Sequence, residues 1–553
     1  MTPCTRPDVS SVVADLVLLH GKIYTENPNQ PWAEALAVKD GVISAVGTSE
    51  EISRHLSSAT QVIDARGHLV LPGFVDSHIH FLLGSLNLAR WALRLDSART
   101  IGELQTCIRQ YAIAHPEEEV ITGYGWMYAV FGAAGLPDKR HLDEVVSDRP
   151  VILIAYGGHT TWTNSRAMQL AGVTDQTPSP ANGEIVHDPI SGEPTGVFKE
   201  DAEALVHKLL PKYAAEDPVA AILGGLKLAN RFGITRVHSA GQDAENIRLY
   251  DEIRSRGLLT VRLYCALYVA PPAVTAEIIE KAESLRRTYH DDWLCGGAVK
   301  LYTDGIIESH TAAMLCCYSD DNRPRGSLNW TPERYQEAVT EFDRRGFQVW
   351  THSIGDRGIR LSLDAYAQAA VQSSRKDARH RVEHVEAPHE ADVPRFGELN
   401  VIASMQPLHA YPNANILGTW SAHVGPKRAQ NAWPCNELFR TGAHVAFGSD
   451  WPIVTPDPWK AIQTLVTRQT VEGTPPGGWV PHQRISVQQA IHGYTLGAAY
   501  AGFLEQTEGS IERGKVADII VVSQNILDVP ATQIHATKVL YTIVGGRIVY
   551  HDA

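Results

Sequence analysis

The chain has 553 residues, 44% of them hydrophobic and 20% charged, with a formal net charge of -13 at pH 7. That balance offers no basic face to nucleic acid, and no stretch approaches the roughly 18 consecutive apolar residues of a membrane helix. Seven scattered cysteines without a C-x-x-C spacing point to reduced thiols, and the start from Met1 to Asp8 lacks the apolar core of a signal peptide. The expectation is a cytoplasmic protein with no nucleic-acid or membrane partner and with a homodimer admitted.

In chain order, short alternating strands come first, between Asp15 and Asp64 around Gly21, Asp40-Gly41 and Gly47. The same style returns between Gly509 and His551 around Gly545-Gly546. The two ends, residues 1–72 and 509–553, are expected to form one small β-sandwich. Pro72-Gly73 then turns the chain into Phe74 to His80, the first of eight apolar runs. The others are Ile234 to Ser239, Leu259 to Tyr268, Ala298 to Thr303, Gln348 to His352, Arg381 to Val385, Val401 to Gln406, and Val445 to Ser449. Helical stretches such as Asp217 to Phe232 and Pro332 to Arg345 separate most of them, the alternation of a (β/α)8 barrel, here over residues 73–508. More than 150 residues separate the first run from the second, far more than one crossover needs. Residues 100–218 therefore read as an inserted α/β subdomain covering the active site.

Polar residues stand where several runs stop: His78 with His80, Lys300, His352, His384 and Asp450. Parallel strands closed into a barrel bring all these ends to one rim. His78 and His80, two apart in a strand, share a face and lie within reach of one cation. Neutral imidazole suits zinc, cobalt, nickel or ferrous iron better than calcium or magnesium. Ala446, Gly448 and Asp450 share a face by the same parity, as do Ala298 and Lys300. A lysine facing a barrel interior is costly unless something pairs with it or changes its chemistry.

This ordered set resembles the amidohydrolase superfamily. Several strings are similar to its amidohydrolase-3 group, which includes N-substituted formamide deformylases: Gly158-His159-Thr160 with Asn164-Ser165-Arg166-Ala167, Val299-Lys300-Leu301 with Asp304-Gly305, Ile354-Gly355-Asp356-Arg357, Val382-Glu383-His384, and Gly448-Ser449-Asp450-Trp451-Pro452. The resemblance runs from about Leu16 to the C-terminus. It implies a distorted (β/α)8 barrel holding one or two divalent ions, zinc first among them. It also implies His78, His80 and Asp450 on an inner metal, His352 and His384 on an outer one, and Lys300 carbamylated by carbon dioxide as an anionic bridge.

Hydrolysis of a C–N bond in a small, partly apolar amide is then expected. A bound metal lowers the pKa of its water from 15.7 to about 7 and so supplies hydroxide. Asp450 takes the water's proton and returns it to the leaving nitrogen. Hydrolysis of a carbamate, a cyclic imide or a lactone, or a deamination, would use the same metal set and is the alternative. A non-catalytic scaffold is the remaining reading, disfavoured because all six ligand positions are kept. Around the metal, His159 is a candidate substrate or oxyanion contact, and Tyr124 with Trp126 a candidate apolar wall. Asp304 follows a ligand strand and can orient ligands by hydrogen bonding. Gln406 and His409 follow the seventh strand onto the same rim. His310 completes the candidate substrate contacts; Ser309-His310 stands where the group commonly has serine followed by arginine.

Overall fold

The eight apolar runs form strands: β1 (Phe74–Ile79), β2 (Ile234–Gln242), β3 (Arg262–Tyr268), β4 (Leu294–Tyr302), β5 (Gln348–Ser353), β6 (Arg381–His384), β7 (Ile402–Met405) and β8 (Val445–Phe447). They hydrogen-bond in sequence order, each neighbouring pair parallel. The computed structural model describes residues 13–552, apart from 91–92, 135, 157, 181, 211–217, 273, 321–324, 374 and 376. The first twelve residues of the expected sandwich and the stretch 211–217 of the expected insertion thus lie outside the described residues.

Strands β1, β5 and β6 are buried along their whole length, as strands covered on both faces must be. Inside the barrel, the small Ala240, Ala266 and Ala298 pack with the large Tyr264 and Trp350 in one cluster. Nearer the closed end, Val75, Ile402 and Ala446 pack against Ala498 and Ala501 of the helix Leu496–Ala501, which plugs the bottom. Gln348 Nε2 fastens that plug by donating to the Ala501 carbonyl at 2.8 Å.

The barrel closes between β8 and β1 through backbone at the rim itself. Asp450 N–H donates to the His78 carbonyl at 2.7 Å, and His80 N–H donates to the Trp451 carbonyl at 2.9 Å. The seam is tight because residue 448 has no side chain: a Cβ there would lie 2.3 Å from the His78 nitrogen. One seam therefore sets the spacing of His78, His80 and Asp450.

Three more sheets surround the barrel. A six-stranded sheet joins Lys22–Tyr24, Trp32–Ala33 and Leu69–Pro72 to Ile519–Val522, Val539–Val544 and Arg547–His551, so both chain ends share it. Its Ile23, Val70 and Ile519 pack with Leu16, Leu36 and Ile63 of a four-stranded sheet drawn from Leu16–Leu19, Ala35–Lys39, Val42–Gly47 and Gln61–Asp64. Between β1 and β2, Ile121–Trp126, Val151–Ala155, Thr160–Thr163, Gly183–His187 and Pro194–Glu200 build a five-stranded sheet with its own core. Among the described residues no helix is long and apolar enough to cross a membrane.

Gly448→Ala should lower the denaturant midpoint by an amount equivalent to about 1–3 kcal/mol, the usual cost of overpacking where only backbone can yield. Gly418→Ala, where a Cβ meets nothing within 4 Å, should stay within about 0.5 kcal/mol. Equal midpoints for the two variants would show that the seam does not depend on the missing Cβ.

Candidate metal centre

Ligand atoms of His78, His384 and Asp450 all lie within 4.8 Å of one another, and all three residues are buried. Backbone turns aim two of them. His384 has φ of +79° and Asp450 +60°, the left-handed region that residues with a Cβ rarely occupy and that concentrates at functional sites. The third is aimed by its neighbours. His78 Nδ1 is 2.6 Å from Glu383 Oε2, and Glu383 Oε1 is 2.9 Å from Arg381 Nε. A carboxylate only accepts, so Nδ1 carries the hydrogen and Nε2 presents a lone pair. That Nε2 stands 3.3 Å from Asp450 Oδ1, with His80 Nε2 3.2 Å from the same oxygen.

His78 Nε2, His384 Nδ1 and Asp450 Oδ1 are buried without a hydrogen-bond partner, and buried polar atoms left so are costly. Two imidazole nitrogens and a carboxylate oxygen gathered this closely fit a divalent transition ion. Burial pushes the His384 and His352 imidazoles well below their ordinary value, so both are neutral, the form that can ligate. At Asp450 burial opposes the charge, but the closeness of His78 and His80 outweighs it and holds the carboxyl well below the usual range.

The other expected ligands flank this cluster. His352 Nε2 is 3.2 Å from the Gly305 carbonyl, while its ring lies 4.5 Å from that of His384. Lys300 is fully buried; its Nζ has no hydrogen-bond partner and sits 3.8 Å over the Tyr302 ring. Burial lowers that ammonium to about 8. The tight group thus takes His384 with His78 and Asp450, while His80 reaches it through Asp450.

A cavity of about 420 Å³ opens over the cluster, lined by His80, His352, His384 and Asp450 on the barrel side. Tyr124, Tyr156 and His159 come from the insertion, and Glu308, Glu386, His409 and Trp433 from barrel loops. His409 Nδ1 is 3.4 Å from Glu386, and its Nε2 is 3.5 Å from Asp450 Oδ2. His159 Nδ1 is 2.9 Å from Glu200 Oε2. Glu200, Glu308, Glu386 and the Arg381–Glu383 pair are not among the site residues expected from the sequence. Only the last pair carried a signal, opposite charges two apart in a buried strand and so on one face.

Four expected substrate contacts do not line the cavity. Trp126 is buried in the insertion's core, its Nε1 donating to the Leu153 carbonyl at 3.0 Å. Strand parity would put it beside Tyr124, but Gly125 has φ of +95° and the pairing slips opposite it, between Ile154 and Ala155. The two rings therefore face different ways. Asp304 is occupied by backbone N–H groups of Ala313, Ile354 and Gly355 at 2.9–3.1 Å, so it ties the loop after β4 to the end of β5. Gln406 is fully buried and turns back toward the carbonyl of Ser404 in its own strand, at 3.4 Å. His310, at φ of +61°, faces Asp320 at 3.2 Å instead of the cavity.

A closed parallel barrel with imidazoles and a carboxylate gathered at its C-terminal rim defines a metal-dependent hydrolase. The sequence profile of the amidohydrolase family matches residues 61–550, and the chain belongs to that family. Protein LONG AFTER FAR-RED 3 of Arabidopsis thaliana is 30% identical over 98% of this chain and 92% of its own. N-substituted formamide deformylase of Arthrobacter pascens is 25% identical over 97% of this chain and 98% of its own. Among solved structures, an uncharacterized metal-dependent hydrolase from Pyrococcus horikoshii shares the fold, with a TM-score of 0.72 at 23% identity, over 93% of this chain and 99% of that one.

The His159–Glu200 pair carries a pH signature. Burial works against the charged imidazole, but Glu200 outweighs it and raises His159 from 6.5 to about 9, while His159 in turn lowers Glu200 below its ordinary 4.5. The pair's full stabilisation is present between 4.5 and 6.5 and is lost as pH rises through about 9. The gap in unfolding midpoint between wild type and Glu200→Gln should therefore be widest near the lower end and shrink across that rise. A gap that stays flat across that rise would mean that Glu200 does not hold a proton on His159.

Proposed function

We propose that the chain hydrolyses the C–N bond of a small, partly apolar amide, using a divalent cation, zinc by donor type, held by His78, His80, His384 and Asp450 with His352 and Lys300 beside them. The observation that carries this reading is the set of buried, unpartnered lone pairs on His78, His384 and Asp450 at the floor of a cavity with aromatic walls. When bound, such a cation acts as a Lewis acid and makes water a stronger nucleophile at neutral pH.

The chain's own groups account for the rest. Asp450, ionised and within 3.5 Å of His78, His80 and His409, accepts the proton of the attacking water and passes it to the leaving nitrogen. His159, kept cationic by Glu200, is a donor for the negative charge that develops on the carbonyl oxygen. Tyr124, Tyr156 and Trp433 give the apolar part of the substrate its walls, and they exclude bulk water from the reacting bond. Lys300 supports the carbamate reading because it is a buried amine without a partner. Its neutral Nζ attacks the carbon of carbon dioxide, an N–C bond forms, a proton leaves to solvent, and the product is an oxygen anion able to ligate.

Three measurements test this. Metal-replete protein should release amine from N-formyl or N-acyl amines faster than it turns over carbamates or cyclic imides; no turnover of any amide would reject the proposed bond. Asp450→Asn should lose on the order of 10²–10⁴ in kcat with KM changed little, provided metal content on the same sample is retained. Turnover within a few-fold of wild type would reduce Asp450 to a ligand. Lys300→Ala should lose metal and activity together, with partial return of both on adding a short carboxylic acid, whereas full metal content in that variant would dismiss the carbamate.

A further inference from the structure

The loop after β4 and the helix Ser421–Ala429 bring together a second cluster outside the cavity. Ligand atoms of His310, Asp320 and His423 lie within 4.8 Å of one another. His310 Nε2 and His423 Nε2 each stand 3.2 Å from an Asp320 carboxylate oxygen. Neighbouring ligands at about 2.0–2.2 Å around a tetrahedral zinc are separated by roughly 3.3–3.6 Å, so this spacing is near that of a coordination edge.

The proton positions make the argument. His423 Nδ1 is 3.1 Å from the Ile307 carbonyl oxygen, which only accepts, so Nδ1 holds the hydrogen. In a neutral ring Nε2 then points a lone pair at an Asp320 oxygen, and two acceptors facing across 3.2 Å require a proton or a cation between them. His78 is built the same way, with Nδ1 on Glu383 and Nε2 toward Asp450.

The surrounding chain holds the donors in place by other bonds. Ser319 N–H donates to the His423 carbonyl at 2.8 Å and Ser319 Oγ to the Val424 carbonyl at 2.9 Å. Arg428 donates to the Cys317 carbonyl at 2.8 Å. Gly425, at φ of +79°, allows this approach, for a Cβ there would lie 2.0 Å from Ser319 Oγ. His310 and Asp320 keep 31% and 28% of their side chains exposed, so an ion can enter from solvent.

We propose that His310, Asp320 and His423 form a second, separate site for a divalent transition ion, zinc by its donors, with the remaining coordination open to water. Bound there, the ion clasps the loop whose Ile306 and Glu308 line the cavity to the helix Ser421–Ala429. The site would fix one cavity wall without touching the central donors.

The test strips the full-length protein with chelator, reloads it with zinc alone, and counts ions per chain by mass spectrometry for wild type, Asp320→Asn and His310→Gln. Both replacements sit at part-exposed positions, and circular dichroism checks that each variant is folded. Each variant should hold one ion fewer per chain than wild type at saturating zinc, and zinc should raise its unfolding midpoint less. Wild-type zinc content in folded Asp320→Asn and His310→Gln would overturn the proposal and leave a His–Asp–His hydrogen-bonded group. Should His310→Gln alone fail to fold, the Asp320→Asn count decides.

Discussion

Glu383 is the constraint on which the site depends. Its carboxylate is fully buried between Arg381 Nε at 2.9 Å and His78 Nδ1 at 2.6 Å. Burial opposes its charge, but Arg381 and His78 outweigh that and hold it down to about 2. Arg381 in turn donates to the Ser77 carbonyl and, at 2.8 Å, to Ser404 Oγ, so one guanidinium on β6 braces β1 and β7 across the barrel interior. Breaking a buried pair by removing one partner typically costs about 3–5 kcal/mol, because the other charge is left uncompensated. Here it would also free the ring of His78, whose tautomer makes Nε2 a lone pair aimed at Asp450.

From that fixed point the site grows outward in two materials. The barrel supplies lone pairs: strand ends with left-handed turns at His384 and Asp450, neutral imidazoles, and a seam in which Asp450 N–H meets the His78 carbonyl at 2.7 Å. The insertion supplies the facing wall and its charge, with His159 held against Glu200 at 2.9 Å and Tyr124 donating to the Tyr156 carbonyl at 2.8 Å. Glu200 also accepts from Thr311 at 2.7 Å, which binds the insertion to the loop after β4. The cavity is thus a property of the assembled parts, since neither the rim nor the insertion encloses it alone. Burial and the neighbouring Glu386 raise Glu308, which also lines the cavity, to about 7.

Much of this was legible in the chain. The eight strands were found because barrel strands are buried on both faces and read as short apolar runs, and because helices of matching period separate them. The rim residues were found because they break those runs at one end. What failed was the side each residue faces once the chain leaves a regular strand. Trp126 was offered with Tyr124 as an apolar wall, and the bulge beside Gly125 turns it away from the cavity. Asp304, expected to orient ligands and counted with the substrate contacts, has its carboxylate taken by three backbone N–H groups, two of them just past β5. Two of those donors, Ile354 and Gly355, lie 50 and 51 residues further along the chain. No local pattern announces them.

The sequence by itself determined the alternation of strand and helix and the order of polar residues at strand ends. Both follow from periodicity and solvent exclusion, which act over a few residues. The tertiary structure decided which lone pairs meet and which side chains see the cavity. Those outcomes rest on a left-handed turn at His384 or Asp450, on a register slip that reverses every following side chain, and on partners such as Glu383 and His78, 305 residues apart in the chain.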